Sequence, residues 1–168
     1  MRRFFLTYAT VIVVILSLPI SAVEGKRKRA VGPPPLKILD VSTSPVPFAP
    51  GRGPLAMTIE VELPKNLNGP HLLEVSSLIS FSTKRSVRFL YNRQPVSVPP
   101  GQTGKARVTT TLLWDGMDQT KKFVVAGKYD YEVRAKLFAI GADGPRTRMV
   151  SLRARGTLEV TSPQGLTR

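Results

Sequence analysis

The 168-residue chain carries 25 basic and 11 acidic residues, a formal net charge of +14, with 15 prolines, 13 glycines, one histidine and no cysteine. Without cysteine there is no disulfide framework and no thiolate metal site. With His71 the only imidazole, the usual zinc clusters are excluded, as is any serine–histidine–aspartate set not built on that residue. A hydrophobic fraction of 42% suffices for one core, the prolines and glycines favour turns over long helices, and the charge favours anionic partners.

Met1-Arg2-Arg3 followed by the largely apolar stretch Leu6 to Leu18 has the pattern of an export signal, and Pro19-Ile20-Ser21-Ala22 supplies a helix break and small residues for cleavage. The expected cut follows Ala22, and a cut after Gly25 is the second choice. The rival reading is an uncleaved membrane anchor from about Phe4 to Val23, which is about long enough to span. It would leave Lys26-Arg27-Lys28-Arg29 on the outer side, against the charge bias of membrane proteins. Loss of residues 1–22 removes Arg2 and Arg3 and leaves 23 basic against 11 acidic residues, a net charge of +12. The expected location is therefore the periplasm, the cell envelope or the exterior, with membrane attachment only if the signal segment stays uncleaved. Residues 23–35 form a basic, proline-rich linker whose three successive prolines favour polyproline geometry. Its charge is either a foot on an anionic surface or a solvated spacer.

From residue 36 the sequence alternates. Leu36 to Val41 is the first strand, and Phe48, inside Ser44-Pro45-Val46-Pro47-Phe48-Ala49-Pro50, is expected to tuck under the sheet. Leu55, Met57, Ile59, Val61 and Leu63 alternate with polar neighbours, among them Glu60 and Glu62, and make a second strand with one apolar face. After the turn cluster Asn66 to Pro70, a looser pattern predicts two strands joined through Ser82 to Arg85. Leu73, Val75, Ile79 and Phe81 share one parity, and Val87, Phe89 and Tyr91 share another. His71 is expected to be an ordinary loop residue. Pro95 to Lys105 reads as a loop, and Val108, Thr110, Leu112 and Trp114 as an inward face. In the next strand Tyr129, Tyr131, Val133, Ala135 and Leu137 oppose Lys128, Asp130, Glu132, Arg134 and Lys136. Ala139 to Pro145 predicts a hairpin connection, and Thr147 to Val160 the last strands, with Gly156 a bulge. Seven or eight short strands predict an all-β, immunoglobulin-like antiparallel sandwich over residues 36–161, with a polar tail at 162–168. Trp114, Tyr129, Tyr131 and Phe48 are its expected core aromatics.

Trp114-Asp115-Gly116-Met117-Asp118 and, after a short connection, Ala126-Gly127-Lys128-Tyr129-Asp130-Tyr131 resemble the signature of the immunoglobulin-like module of flagellar hook-cap scaffolding proteins, which also occurs in secreted bacterial proteins. Val41 to Pro50 is similar to the opening of that family. Thr120-Lys121, Phe123 and Val125 depart from its loop, and the final hairpin is longer. The resemblance implies a structural or docking module without catalytic residues, cofactor or metal, and a partner that is another envelope or secreted protein.

Asp115, Asp118 and Asp130 are the one acidic cluster near a loop, but a calcium site needs six or more oxygens, and Asp115-Gly116 is a natural turn pair. No phosphate-binding glycine loop and no isolated carboxylate pair is present. The basic residues are more informative. Arg134, Lys136, Arg146, Arg148, Arg153 and Arg155 fall on adjacent predicted strands, with Lys84, Arg85, Arg88 and Arg93 on another hairpin. Such a face would suit carboxylate, sulfate or phosphate polymers, or serve as a solubilising surface that blunts edge aggregation. The alternative function is accordingly a binder of anionic surface polymers such as polysaccharide, lipopolysaccharide or acidic headgroups. Nucleic acid is not expected, because the export signal and the sparse interleaving of aromatics argue against it.

Overall fold

A computed structural model describes residues 35–65, 67, 69–97 and 105–162. The expected export segment, the basic arm and the polar tail from residue 163 lie outside the described residues. Among the described residues no helix is long and apolar enough to cross a membrane. The described residues form eight strands: β1 (Lys37–Ser44), β2 (Leu55–Glu62), β3 (His71–Phe81), β4 (Ser86–Val96), β5 (Arg107–Trp114), β6 (Gly127–Gly141), β7 (Gly144–Val150) and β8 (Ala154–Val160). They build two antiparallel sheets. One has the order β1-β2-β5; the other runs β4-β3-β6, with β8 against the first half of β6 and β7 against the second. The chain is an immunoglobulin-like β-sandwich, and its fourth strand lies beside the third, in the larger sheet.

The alternation explains the layering. In β2, Leu55, Met57, Ile59 and Val61 are fully buried while Glu60 and Glu62 face outward. In β6, Tyr129, Val133, Ala135 and Leu137 are buried against them from the other sheet. Trp114, at the end of β5, is completely enclosed. Its ring lies 5.4 Å from Phe48 and meets Tyr129 edge-on at 6.1 Å, and its indole N–H donates to the Met117 carbonyl at 2.9 Å. Buried aromatic edges of this kind prefer such tilted contacts, and a buried indole N–H needs an acceptor. The Tyr129 hydroxyl donates to the Val125 carbonyl at 2.7 Å, four residues upstream at the start of the sixth strand. This is the tyrosine corner of immunoglobulin-like sandwiches. Gly116 sits at φ 80° in the same turn, and a Cβ there would lie 2.7 Å from Pro50. The turn under Trp114 therefore requires glycine on two grounds.

Both sides of the sandwich are tied. Phe48 bonds in parallel to the end of β8, its N–H donating to the Glu159 carbonyl and its carbonyl accepting from Thr161. On the opposite side Asn92 donates to the Thr110 hydroxyl at 3.2 Å, and the Gln94 amide to the Thr109 carbonyl at 3.4 Å, so β4 and β5 meet through side chains.

Several expectations are corrected. His71 is the first residue of β3, not a loop residue, and is buried. Its Nδ1 lies 2.9 Å from the Gly69 carbonyl and its Nε2 3.0 Å from the Arg148 guanidinium. The carbonyl can only accept and the guanidinium only donate, so these bonds require the neutral tautomer with the proton on Nδ1. Gly156 is not a bulge: it pairs in register with Tyr131, and an added Cβ would land on the Tyr131 ring and hydroxyl. Register shifts fall instead between Ile38 and Asp40, between Ile79 and Ser80 and between Leu137 and Phe138, and there is a break between β7 and β8. There Ser151 bonds both backbone groups of Ala135, its N–H to the carbonyl and its hydroxyl from the N–H. β6 runs on to Gly141, leaving only Ala142-Asp143 as the turn. Pro95 belongs to β4, a sheet edge, where a missing N–H costs no ladder bond.

Candidate functional site

The outer face of the five-stranded sheet concentrates the unusual chemistry, and register alone lays it out. Across β4, β3 and β6 the outward residues form rows: Arg93, Glu74 and Lys136; then Tyr91, Ser76 and Arg134; then Phe89, Leu78 and Glu132, with Arg155 of β8 beyond. Phe89 and Tyr91 share parity with buried Val87 but are 53% and 65% exposed, their rings stacked with centroids 6.3 Å apart. The physical reason is a register shift between β3 and β4: Arg88 pairs with Ile79 and Ser86 with Ser80, so Val87 is the extra residue of a bulge, and beyond it Phe89 and Tyr91 fall opposite Leu78 and Ser76 on the outer face.

Two carboxylates organise the charges. Glu74 accepts from Arg93 at 2.6 Å and lies 3.3 Å from Lys136. Burial pushes its carboxyl up, but the bonds from Arg93 and Lys136 outweigh burial and hold it below the ordinary glutamate value. Glu132 lies 2.9 Å from Arg153 and 3.2 Å from Arg155. Burial again raises its carboxyl, and the two arginines bring it down on balance. Each acid is thus clasped by two cations, and each cluster keeps one surplus positive charge. Between them the Arg134 side chain makes no hydrogen bond or ion pair among the described residues, and its Nε is buried without a partner. Arg93 also lies over the Phe138 ring at 5.7 Å. Beyond the Phe89 row the face deepens into a groove of about 530 Å³, whose walls include Leu78, Glu132, Arg155 and the Lys84–Asp130 pair.

Of the six basic residues singled out in the sequence, Arg134, Lys136, Arg153 and Arg155 come together here. Arg146 and Arg148 do not. Arg146 pairs with Asp143 in the β6–β7 hairpin, and Arg148 turns to His71. Arg93 joins the face from β4, and Arg88 instead donates to the Asp118 carbonyl at 3.2 Å. Phe89 and Tyr91 belong to the face and were missed as surface residues, since their parity with Val87 reads as an inward stripe. Their one sequence signal was that Arg88 to Arg93 places aromatics among arginines. Tyr131, expected in the core, is half-buried over Gly156, and burial together with the charge of Asp40 raises its phenol.

The aspartates are spent on turns. Asp115 accepts from the Met117 N–H at 2.9 Å. Asp118 accepts from the Thr120 hydroxyl and N–H, both at 2.7 Å, and from the Lys122 N–H at 3.1 Å, which lowers its carboxyl. Asp130 pairs with Lys84 at 2.7 Å. Among the described residues no group of three or more histidine or acidic side chains is placed to hold a metal ion.

No family model and no curated protein matches the chain. Among solved structures it is similar to a protein from Archaeoglobus fulgidus, at 11% identity and a TM-score of 0.46, over 74% of this chain and 96% of that one. It is also similar to part of a glycosyl hydrolase family 2 member from Bacteroides cellulosilyticus, at 16% identity and a TM-score of 0.41, over 74% of this chain. The chain spans only 15% of the length of that second protein. The chain is a β-sandwich module.

Proposed function

We propose that the chain is an exported, non-catalytic docking module of the bacterial envelope or of a secreted assembly, and that it holds its partner on the outer face of the five-stranded sheet. The observation that carries this reading is the stacked, exposed Phe89–Tyr91 pair beside the uncompensated Arg134. Aromatic and arginine side chains are the residues that most often anchor partners, and an uncovered pair of rings on a small basic domain has no role in its own core. The non-catalytic part is supported by the commitment of the sole histidine to Gly69 and Arg148. Export rests on the N-terminal pattern, and the hook-cap resemblance favours docking over catalysis. A second reading, an anionic polymer, is favoured by the surplus positive charge of both carboxylate clusters and by Arg134.

A photo-crosslinking amino acid placed at position 91 in cells tests the docking face, with position 111 on the other sheet as control. A discrete slow-migrating adduct from position 91 and none from position 111 is the expected result. Equal adducts from both positions, or none from position 91, would refute a docking face here. Protein recovered outside the cytoplasm is expected to begin between Val23 and Lys26, and recovery only of the intact chain in salt-washed membranes would replace export by anchoring.

A further inference from the structure

We propose that the occupant of this face is an acidic polysaccharide, a chain of sugar rings bearing carboxylate or sulfate groups. One ring lies on Tyr91 and Phe89, and its acid group reaches Arg134. The proposal rests on the docking reading above and names the chemistry of the partner.

Three features of the face converge on that chemistry. The Phe89 and Tyr91 rings lie within 27° of parallel on one strand, forming a continuous flat apolar step. A sugar ring presents an apolar C–H face to such a surface, and the negative face of the aromatic ring attracts those hydrogens. Tyr91 and Arg134 occupy the same row on either side of Ser76, whose short side chain is the floor between them. With neighbouring strands about 4.8 Å apart, the two backbones are roughly 10 Å from each other. A single sugar with an exocyclic acid group fits between the tyrosine ring and the long arginine side chain. Arg134 then offers the fork that matches a carboxylate or sulfate in two parallel hydrogen bonds.

The distribution of charge separates this occupant from others. Glu74 and Glu132 are each already held by two cations, so an incoming acid group meets a positive cluster in the rows on both sides of Arg134. A protein interface core is depleted in charge, whereas here every row from Glu74 to Glu132 carries it. Single-stranded nucleic acid also combines stacking with anions. It asks, however, for a series of stacking platforms along a basic groove, whereas this face offers a single aromatic pair, Phe89 and Tyr91. One sugar ring and one acid group need no more than that pair and Arg134.

Native-gel affinity electrophoresis tests the proposal. The probes are polygalacturonate, the same polymer with its carboxylates reduced to alcohols, heparin, and an oligothymidylate. Lys26–Arg29 is changed to glutamine in every protein so that this run does not imitate a site. Near physiological ionic strength, where charges are screened beyond about 8 Å, retardation by polygalacturonate or heparin and none by the reduced polymer is expected. Arg134→Gln and Tyr91→Ala should each weaken it about tenfold, the scale of one lost charge-assisted bond in the first and of one lost stacking contact in the second. Arg107→Gln removes the same charge from the other sheet and should change it less than about twofold. Equal losses in Arg134→Gln and Arg107→Gln, with none in Tyr91→Ala, would reduce the effect to diffuse charge and overturn the proposal, as would tighter binding of the oligothymidylate. Absence of binding to both acidic polymers would overturn it as well. In that case a purely protein adduct from position 91 would leave the docking reading standing, and its absence would remove both.

Discussion

The two outer faces of this sandwich obey the same alternation and differ in what register sets side by side. On the three-stranded sheet the outward rows are Ser42, Thr58 and Thr111, then Asp40, Glu60 and Thr109. Its ion pairs are one to one, Arg107 with Glu60 at 3.2 Å and Lys105 with Glu62 at 2.7 Å, and its middle is a patch of hydroxyls. On the five-stranded sheet Glu74 and Glu132 are each clasped by two cations, and the middle row leaves Arg134 uncompensated beside two exposed rings. The difference shows that net charge does not make a binding surface. The charge must be left unsatisfied next to something a partner can pack on.

The comparison supposes one shared core behind both faces, and Trp114 is where that supposition is most easily broken. Trp114→Ala should cost about 3–5 kcal/mol and unfold much of so small a domain, read by far-ultraviolet circular dichroism against urea. An unchanged midpoint would mean that the sheets do not depend on this plug. Next in size is Gly156→Ala, which forces a Cβ into the Tyr131 ring beside the groove and should destabilise by about 1–3 kcal/mol. Gly141→Ala, whose added Cβ would meet nothing nearer than 3.9 Å, is expected to stay within about 0.5 kcal/mol.

Glu74 and Glu60 sharpen the contrast directly, being the same residue on opposite faces. Glu74→Gln should cost about 1 kcal/mol, because Arg93 and Lys136 lose a shared partner, and Glu60→Gln a few tenths at most. The pH dependence has a definite sign. The Glu74 and Glu132 carboxyls are held below the ordinary glutamate value of 4.5, so their stabilisation is complete above that pH. It is lost as pH falls through their lower folded values. Thermal midpoints between about pH 5 and pH 3 should fall less steeply in the double Glu74→Gln, Glu132→Gln protein. A slope identical to that of the parent would show that these clusters carry no acid sensitivity. The smallest effect on stability belongs to Phe89→Ser and Tyr91→Ser, within about 0.5 kcal/mol each because both rings are exposed. If either variant melts well below the parent, the rings serve the fold and the face is not a free surface.

The sequence by itself determined the sandwich. Period-two runs in β2 and β6 admit only one inward face, and a lone tryptophan followed by Asp115-Gly116 leaves little choice about where the core closes. It also determined that Arg134, Lys136, Arg153 and Arg155 would share an outward side, since parity survives whatever the pairing. Which strand lies beside which was decided only by the tertiary structure. Parity cannot show that Glu74 would sit between Arg93 and Lys136, because Lys136 comes from β6, two strands beyond the β3–β4 hairpin in sequence. Nor can it show that Arg148 would leave the basic face for a buried His71, a consequence of the register shift between Leu137 and Phe138. Phe89 and Tyr91 mark the same limit. Alternation says that they share a side with Val87, but the extra residue between Ser86 and Arg88 shifts the register against β3 and turns the rest of β4 to the other face, which only the paired strands reveal.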